Sequence, residues 1–223
     1  VQDDPGIGWM DSCAAPDHPM IDSLWAERRT IVQLRVALRG PALLRARALA
    51  VEEAARAVPG VTNSEGGGAS NGRSQVALAT SHGFAGAYAG TSHSTWASVL
   101  AGTGADMQRD HASHSVRHLD ELEDPAAIGA RAGERAVARL NPAKVESGVL
   151  PILFDPRIGS SLLGHLIGGM VGPAIARRSS FLLDSLGEAL FDSAITIIDD
   201  PLRPRGMRSR PFDGEGLPVA RRA

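Results

Sequence analysis

Residues 61–119, "VTNSEGGGASNGRSQVALATSHGFAGAYAGTSHSTWASVLAGTGADMQRDHASHSVRHL", constrain the fold more than any other part of the chain. β-branched and small polar residues alternate there between glycine-rich turns, the period-two pattern of strands. The spacing predicts three or four antiparallel strands in a meander, at about residues 60–64, 73–80, 84–100 with a break, and 105–118. "SEGGGASNG" reads as a flexible hairpin or loop. It has neither the G-x-G-x-x-G register after a strand nor a Lys-Ser/Thr pair to hold a phosphate. With 25 glycines and only 4% aromatic residues, the core must be built from Leu, Ile, Val and Ala with backbones packed closely.

Helical patterns flank the meander. "PALLRARALAVEEAARAV" sets Leu44, Ala48, Val51 and Ala55 along one face and is stopped by Pro59-Gly60, predicting an amphipathic helix of about four turns. "DPAAIGARAGERAVARLN" opens with Asp124 as N-cap and Pro125 in the first turn and ends before Asn141-Pro142. "GVLPILFD" reads as a short buried strand. The Asp155-Pro156 pair then starts a helix through "SSLLGHLIGGMVG" that Pro173 ends or kinks. "AIARRSSFLLDSLGEALF" is partly helical by pattern, and "SAITIIDDPL" reads as a strand through Ile195, Ile197 and Ile198. "RPRGMRSRPFDGEGLPVARRA" reads as a long loop, and "MIDSLWAERRTIVQLRVAL" near the start as a helix or helix pair. The expectation is an α+β fold: an antiparallel β-meander packed with helices, then strand-helix-strand leading into a β-rich C-terminal domain beyond Ala223. The domains expected are a poorly patterned segment 1–40, a helix-meander-helix unit 41–148, and a further domain beginning at 149–223. The chain starts without Met, as a piece of a longer protein would.

A formal net charge of −2 gives no electrostatic reason to expect nucleic acid or an anionic membrane as partner. Cys13 is the only cysteine, which excludes an intramolecular disulfide and a four-cysteine zinc site and makes the cytoplasm the expected compartment. No run reaches the roughly 18 apolar residues of a membrane span, and the start lacks signal-peptide order.

His165 stands alone in the helix "SSLLGHLIGGMVG". Leu162, Leu166 and Met170 form one apolar row, Leu163, Ile167 and Val171 the next, and Gly164, Gly168 and Gly172 a third. Glycine costs a helix interior roughly 1 kcal/mol relative to alanine, so these glycines suggest that another backbone comes close. Zinc on a helix normally takes a second ligand a turn away. Ser161 and Gly169 occupy those places, and no carboxylate occurs between Asp155 and Asp184. A histidine hydrogen-bonded in a packed groove is the reading these residues favour.

Two other clusters could carry chemistry. In "HASHSVRH", His114 and His118 share a strand face and His111 opposes them, so His114 and His118 are an alternative metal pair. Arg203, Arg205, Arg208 and Arg210 could bind an anion or a peptide carboxylate, against a solvated or ion-paired loop, with Asp213 and Glu215 close enough to neutralise part of the series. No G-x-S-x-G elbow supports serine-nucleophile chemistry.

Several segments together resemble the TldD/PmbA family, on its PmbA (TldE) branch. They are "EEAARAVPGVTNSEGGGASNGRS", "LATSHGFAGAY", "SVLAGTGADMQRD", "HLDELEDPAAIGARAGERAVARLNPAKVESGVLPILFDPRIGSSLLGHL", "ARRSSFLLDSLGE" and "ITIIDDPLRPRGMRSRPFDGEG". The resemblance implies an N-terminal α/β domain, a β-rich C-terminal domain, and an H-E-x-x-x-H zinc helix in the TldD protein. Laid on this chain, that motif falls on Gly164, His165 and Gly169. The resemblance therefore implies a subunit with no metal of its own. It would pair with a zinc-bearing TldD-type subunit to cleave unfolded peptides, with His165, Arg208 and Arg210 as peptide- or anion-binding candidates. The family's gyrase-modulator name carries the alternative, a non-proteolytic binding or regulatory protein of a toxin-antitoxin or DNA gyrase-related system.

Overall fold

The structure is a computed structural model and describes residues 29–36 and 40–223, the side chains from residue 40 onward. Four antiparallel strands run in chain order across one sheet: β1 (Arg29–Val36), β2 (Val61–Thr80), β3 (Ala85–Ala101) and β4 (Gln108–Val116). Helix α1 (Pro41–Arg56) links β1 to β2, and α2 (Pro125–Ala138) follows β4. Beyond them lie α3 (Pro156–Met170) and α4 (Gly172–Ala176). The fold is α+β and the sheet a meander, as expected.

Two compact units divide the chain: one takes in the sheet, α1, α2 and Ile198–Ala223, the other is Ala143–Ile197. In the first, α1 and α2 cover one face of the sheet. Val51 and Ala55 of α1, Ala97, Val99, Ala101 and Ala112 of the sheet, and Ile128, Ala132 and Ala136 of α2 form one buried cluster. Burying a side chain the size of Ile128 contributes about 2 kcal/mol. The many alanines need close backbones, and α2 supplies the means. A Cβ on Gly129 would run into the Val51 carbonyl and lie 2.8 Å from Ala54 Cβ, and one on Gly133 would lie 2.8 Å from the Ala55 carbonyl oxygen. The α2 entry forms as expected, with the Asp124 carboxylate accepting from Ala126 N at 2.9 Å.

The sheet corrects three expectations. "SEGGGASNG" is no loop: β2 runs unbroken through it for 20 residues, paired to β3. The glycines fit because both faces are crowded. A Cβ on Gly67 would meet the Ala48 carbonyl oxygen of α1 at 2.7 Å, and one on Gly68 would strike the indole of its cross-strand partner Trp96. Gly66, at φ +116°, takes up the register shift between Ser64 and Gly66. The second correction is at Arg29–Val36, expected within a helix, which is a strand paired residue for residue with β2 from Arg73 to Thr80. The rest of that expected helix pair, and Cys13, lie outside the described residues. The expected break in β3 is absent as well.

The segment "GVLPILFD" of the second unit and the segment "SAITIID", which crosses the boundary between the units at Ile197, do not form the expected strands. Val149 and Leu153 are fully exposed and Ile195 is 56% exposed, and the nearest pairing is the single bridge Asp199 to Arg222. A strand exists through a ladder of hydrogen bonds to a neighbour, and beyond that one bridge the described residues offer these segments none. No helix among the described residues is long and apolar enough to cross a membrane.

Candidate functional site

Helix α3 begins as its sequence dictates, with the Asp155 carboxylate accepting from Arg157 N at 2.9 Å and Pro156 in the first turn. His165 is exposed, which corrects the expectation of a packed groove. Gly164, Gly168 and Gly172 face open space. Gly169 alone is closely approached: a Cβ there would lie 2.9 Å from the Phe181 ring and 3.2 Å from Leu182. Ser180 Oγ donates to the Gly169 carbonyl at 2.6 Å and accepts from Leu182 N, clasping this turn. The apolar rows expected to be covered are half exposed, at 49% for Leu162, 57% for Ile167 and 61% for Met170.

The H-E-x-x-x-H register offers zinc one imidazole, two glycines and no carboxylate. Gly169 is buried against Phe181, so even the backbone at the last ligand position is occupied. These residues do not fit the metal.

The histidines after β3 are placed differently from one another. His114, paired across to Thr95, lies on β4, and its Nδ1 accepts from Glu123 N at 3.2 Å. The strand ends at Val116, so His118 falls beyond it, as the N-cap position of the short turn Leu119–Glu121. It is buried, and its Nε2 has no hydrogen-bond partner among the described residues. His111 is exposed beside Asp110. Among the described residues no three His, Cys, Asp or Glu side chains are grouped to hold a metal ion.

The arginine series resolves into different roles. Arg205 donates to Glu121 at 2.7 Å and Asp120 at 3.3 Å, and these hydrogen bonds raise its pKa further. Arg208 and Arg210 instead line a cleft of about 940 Å³ together with Ser74, Ser92, Tyr88 and Arg117. The floor is the sheet face opposite the helices, where Tyr88 and the backbone of Gly90 lie. The wall is the C-terminal segment, anchored by Phe212, whose ring meets Phe84 and Tyr88 edge-on at centroid distances of 4.9 and 5.3 Å.

Arg117 joins floor to wall. Its Nε donates to the Gly206 carbonyl at 2.9 Å and its Nη2 to the Ser209 carbonyl at 3.0 Å. The guanidinium crosses Gly90 so closely that any Cβ there would collide with it. Sequence reasoning missed Arg117, because its partners are 89 and 92 residues away and nothing in "SVRHL" announces them. Asp213, next in the same segment, turns to its own backbone: the N–H groups of Leu217 and then Glu215 hold its carboxyl below the ordinary value, and Arg210 adds less.

The described part of the chain is thus an α+β unit, a four-stranded antiparallel sheet with helices on one face and an arginine-lined cleft on the other. Residues 39–140 match the PmbA/TldA metallopeptidase central domain and residues 147–223 the PmbA/TldA metallopeptidase C-terminal domain. The chain is 35% identical over 175 residues to metalloprotease PmbA of Escherichia coli O157:H7, covering 78% of this chain and 39% of that protein. It is 30% identical over 171 residues to a PmbA homolog of Haemophilus influenzae, covering 76% and 38%. Among solved structures, a Bacteroides thetaiotaomicron protein named as a modulator of DNA gyrase superposes with a TM-score of 0.77 at 28% identity, over 82% of this chain and 42% of that one. TldE of Thermococcus kodakarensis shares the fold, with a TM-score of 0.65 at 21% identity over the same shares of each chain. The chain belongs to the PmbA/TldD metallopeptidase family and spans about two fifths of the length of these curated relatives.

Proposed function

We propose that this chain is the metal-free, TldE-type subunit of a heteromeric cytoplasmic peptidase that processes unfolded peptides, the zinc and its hydrolytic chemistry residing in a TldD-type partner. One observation carries the reading: in the register of the zinc helix, α3 presents Gly164, His165 and Gly169, the last closed against Phe181.

The sheet supports a role in holding substrate. β1 pairs with β2 only from Arg73 to Thr80, so no described strand lies beside residues 61–70 on the outer edge of β2. Such an edge can take an extended chain by backbone hydrogen bonds, which a folded protein cannot offer.

The test is cleavage of an unstructured peptide, followed by mass spectrometry, by this chain with zinc and by the chain plus its TldD-type partner. The expected result is an intact peptide with the chain alone and fragments with the pair. Hydrolysis by the chain alone that survives His165→Ala would overturn it, and a peptide left intact by the active-metal pair would favour a binding or regulatory role.

A further inference from the structure

The cleft behind the sheet has a charge its own walls do not answer. Arg117 is buried to 9% exposure, and both of its hydrogen bonds go to neutral carbonyls. A buried charge is costly unless a counter-charge accompanies it, and among the described residues no carboxylate lies within ion-pair distance of this guanidinium. The same is true of Arg208, exposed on the wall two residues from Arg210. No acidic side chain lines the cleft among the described residues. The nearest candidate, Asp213, is committed to its own turn, its carboxylate accepting from Glu215 N at 2.8 Å and Leu217 N at 2.9 Å.

Strand alternation decides which groups face in. Gly90 and Ser92 share the face of Tyr88, and Ser74 pairs with Gly90, so Ser74 and Ser92 stand on the cleft face, the Ser74 hydroxyl donating to the Gly90 carbonyl at 3.4 Å. Arg73, paired with Thr91 on the alternate face, also borders the cleft.

Guanidinium groups and hydroxyls around one pocket make a receptor for planar oxyanions. Tyr88, packed edge-on with Phe212, is the one aromatic ring among the described residues that line the cleft, fewer than the successive stacking platforms of a nucleic-acid groove. With a net charge of −2, the chain also has no overall field to draw in a polyanion.

We propose that Arg117, Arg208 and Arg210 form a carboxylate-binding subsite that selects peptides bearing acidic side chains or a free C-terminus. This rests on the peptide-processing reading and adds a substrate preference to it. Arg208 and Arg210 engage the carboxylate, and Arg117 is a positioning residue that fixes their segment against Gly90 and supplies charge from behind.

Fluorescence anisotropy with the full 223-residue chain tests it. The probes are three labelled unstructured peptides of equal length: acidic with an amidated C-terminus, neutral with a free C-terminus, and neutral with an amidated C-terminus. At least one of the two carboxylate-bearing peptides should bind about tenfold more tightly than the neutral amide, a difference of one good charge-assisted contact, and which one does identifies the source of the carboxylate. Arg208→Gln with Arg210→Gln should erase that preference, and Arg45→Gln, on the exposed face of α1, should leave it intact.

Equal binding of all three peptides would overturn the subsite and leave the peptide reading standing. Failure of all three to bind would count against both. Displacement by inorganic phosphate with no discrimination among peptides would show a phosphate site instead.

Discussion

Helices α2 and α3 begin alike and end up in opposite circumstances. Each opens with Asp-Pro, each is capped by its aspartate, and each carries glycines four apart: Gly129 and Gly133 on α2, Gly164 and Gly168 on α3. On α2 the glycines are the contact, because the α1 backbone passes where their Cβ atoms would stand. On α3 the glycines four apart meet nothing within 4 Å, and its apolar rows are half exposed. A small-residue row on a helix therefore shows that an approach is possible, and only the tertiary partner makes it necessary.

The largest expected effect tests the closed side of this contrast. Gly129→Ala would push a methyl into the Val51 carbonyl and the Ala54 side chain, so α1 and α2 must separate. Urea unfolding should show a loss of about 3 kcal/mol, at the upper end of ordinary overpacking. A loss of a few tenths would mean that the helix crossing is looser than its geometry.

A smaller change of opposite sign is expected on α3. Gly164→Ala and Gly168→Ala meet no neighbour in this chain and should each raise helix stability by up to about 1 kcal/mol. Amide exchange along α3 is the readout. Faster exchange in these variants would reveal that some part of the chain does close on that face.

The smallest effect contrasts the anchored C-terminal segment with α3 in their response to acid. Asp213 has a lowered carboxyl pKa, chiefly through Leu217 N–H and then Glu215 N–H. Its stabilisation of the turn is thus fully present above the ordinary carboxylate value and is lost as pH falls through the lowered folded one. The Leu217 amide resonance should titrate with that group, Asp213→Asn should abolish the titration, and the α3 amides should not follow it.

The parts of the molecule legible in sequence are those governed by neighbours along the chain. The buried face of α1 at Val51 and Ala55 follows from helical period, and the starts of α2 and α3 follow from Asp-Pro. The meander follows from alternation and its turns. "SEGGGASNG" reads as a loop because three adjacent glycines signal one locally. The reasons it is a strand, the α1 backbone over Gly67 and the Trp96 indole over Gly68, lie on other elements. Arg208 and Arg210 were legible as candidate anion ligands from composition. Arg117, which builds their cleft, was not, for its partners stand far along the chain. The segments at 149–154 and 195–198 have strand composition without a strand's partner.

By itself, the sequence determined the period of the two helices that pack on the sheet, the caps that start α2 and α3, the absence of a second metal ligand within a turn of His165, and a near-neutral charge balance. Tertiary structure decided which glycines are contacts and which are open, which arginines are spent in ion pairs and which face a cleft, and how far β2 runs. The division has one physical cause. Period and capping are set within a turn or two of chain, whereas close approach and charge compensation depend on groups that only folding brings together.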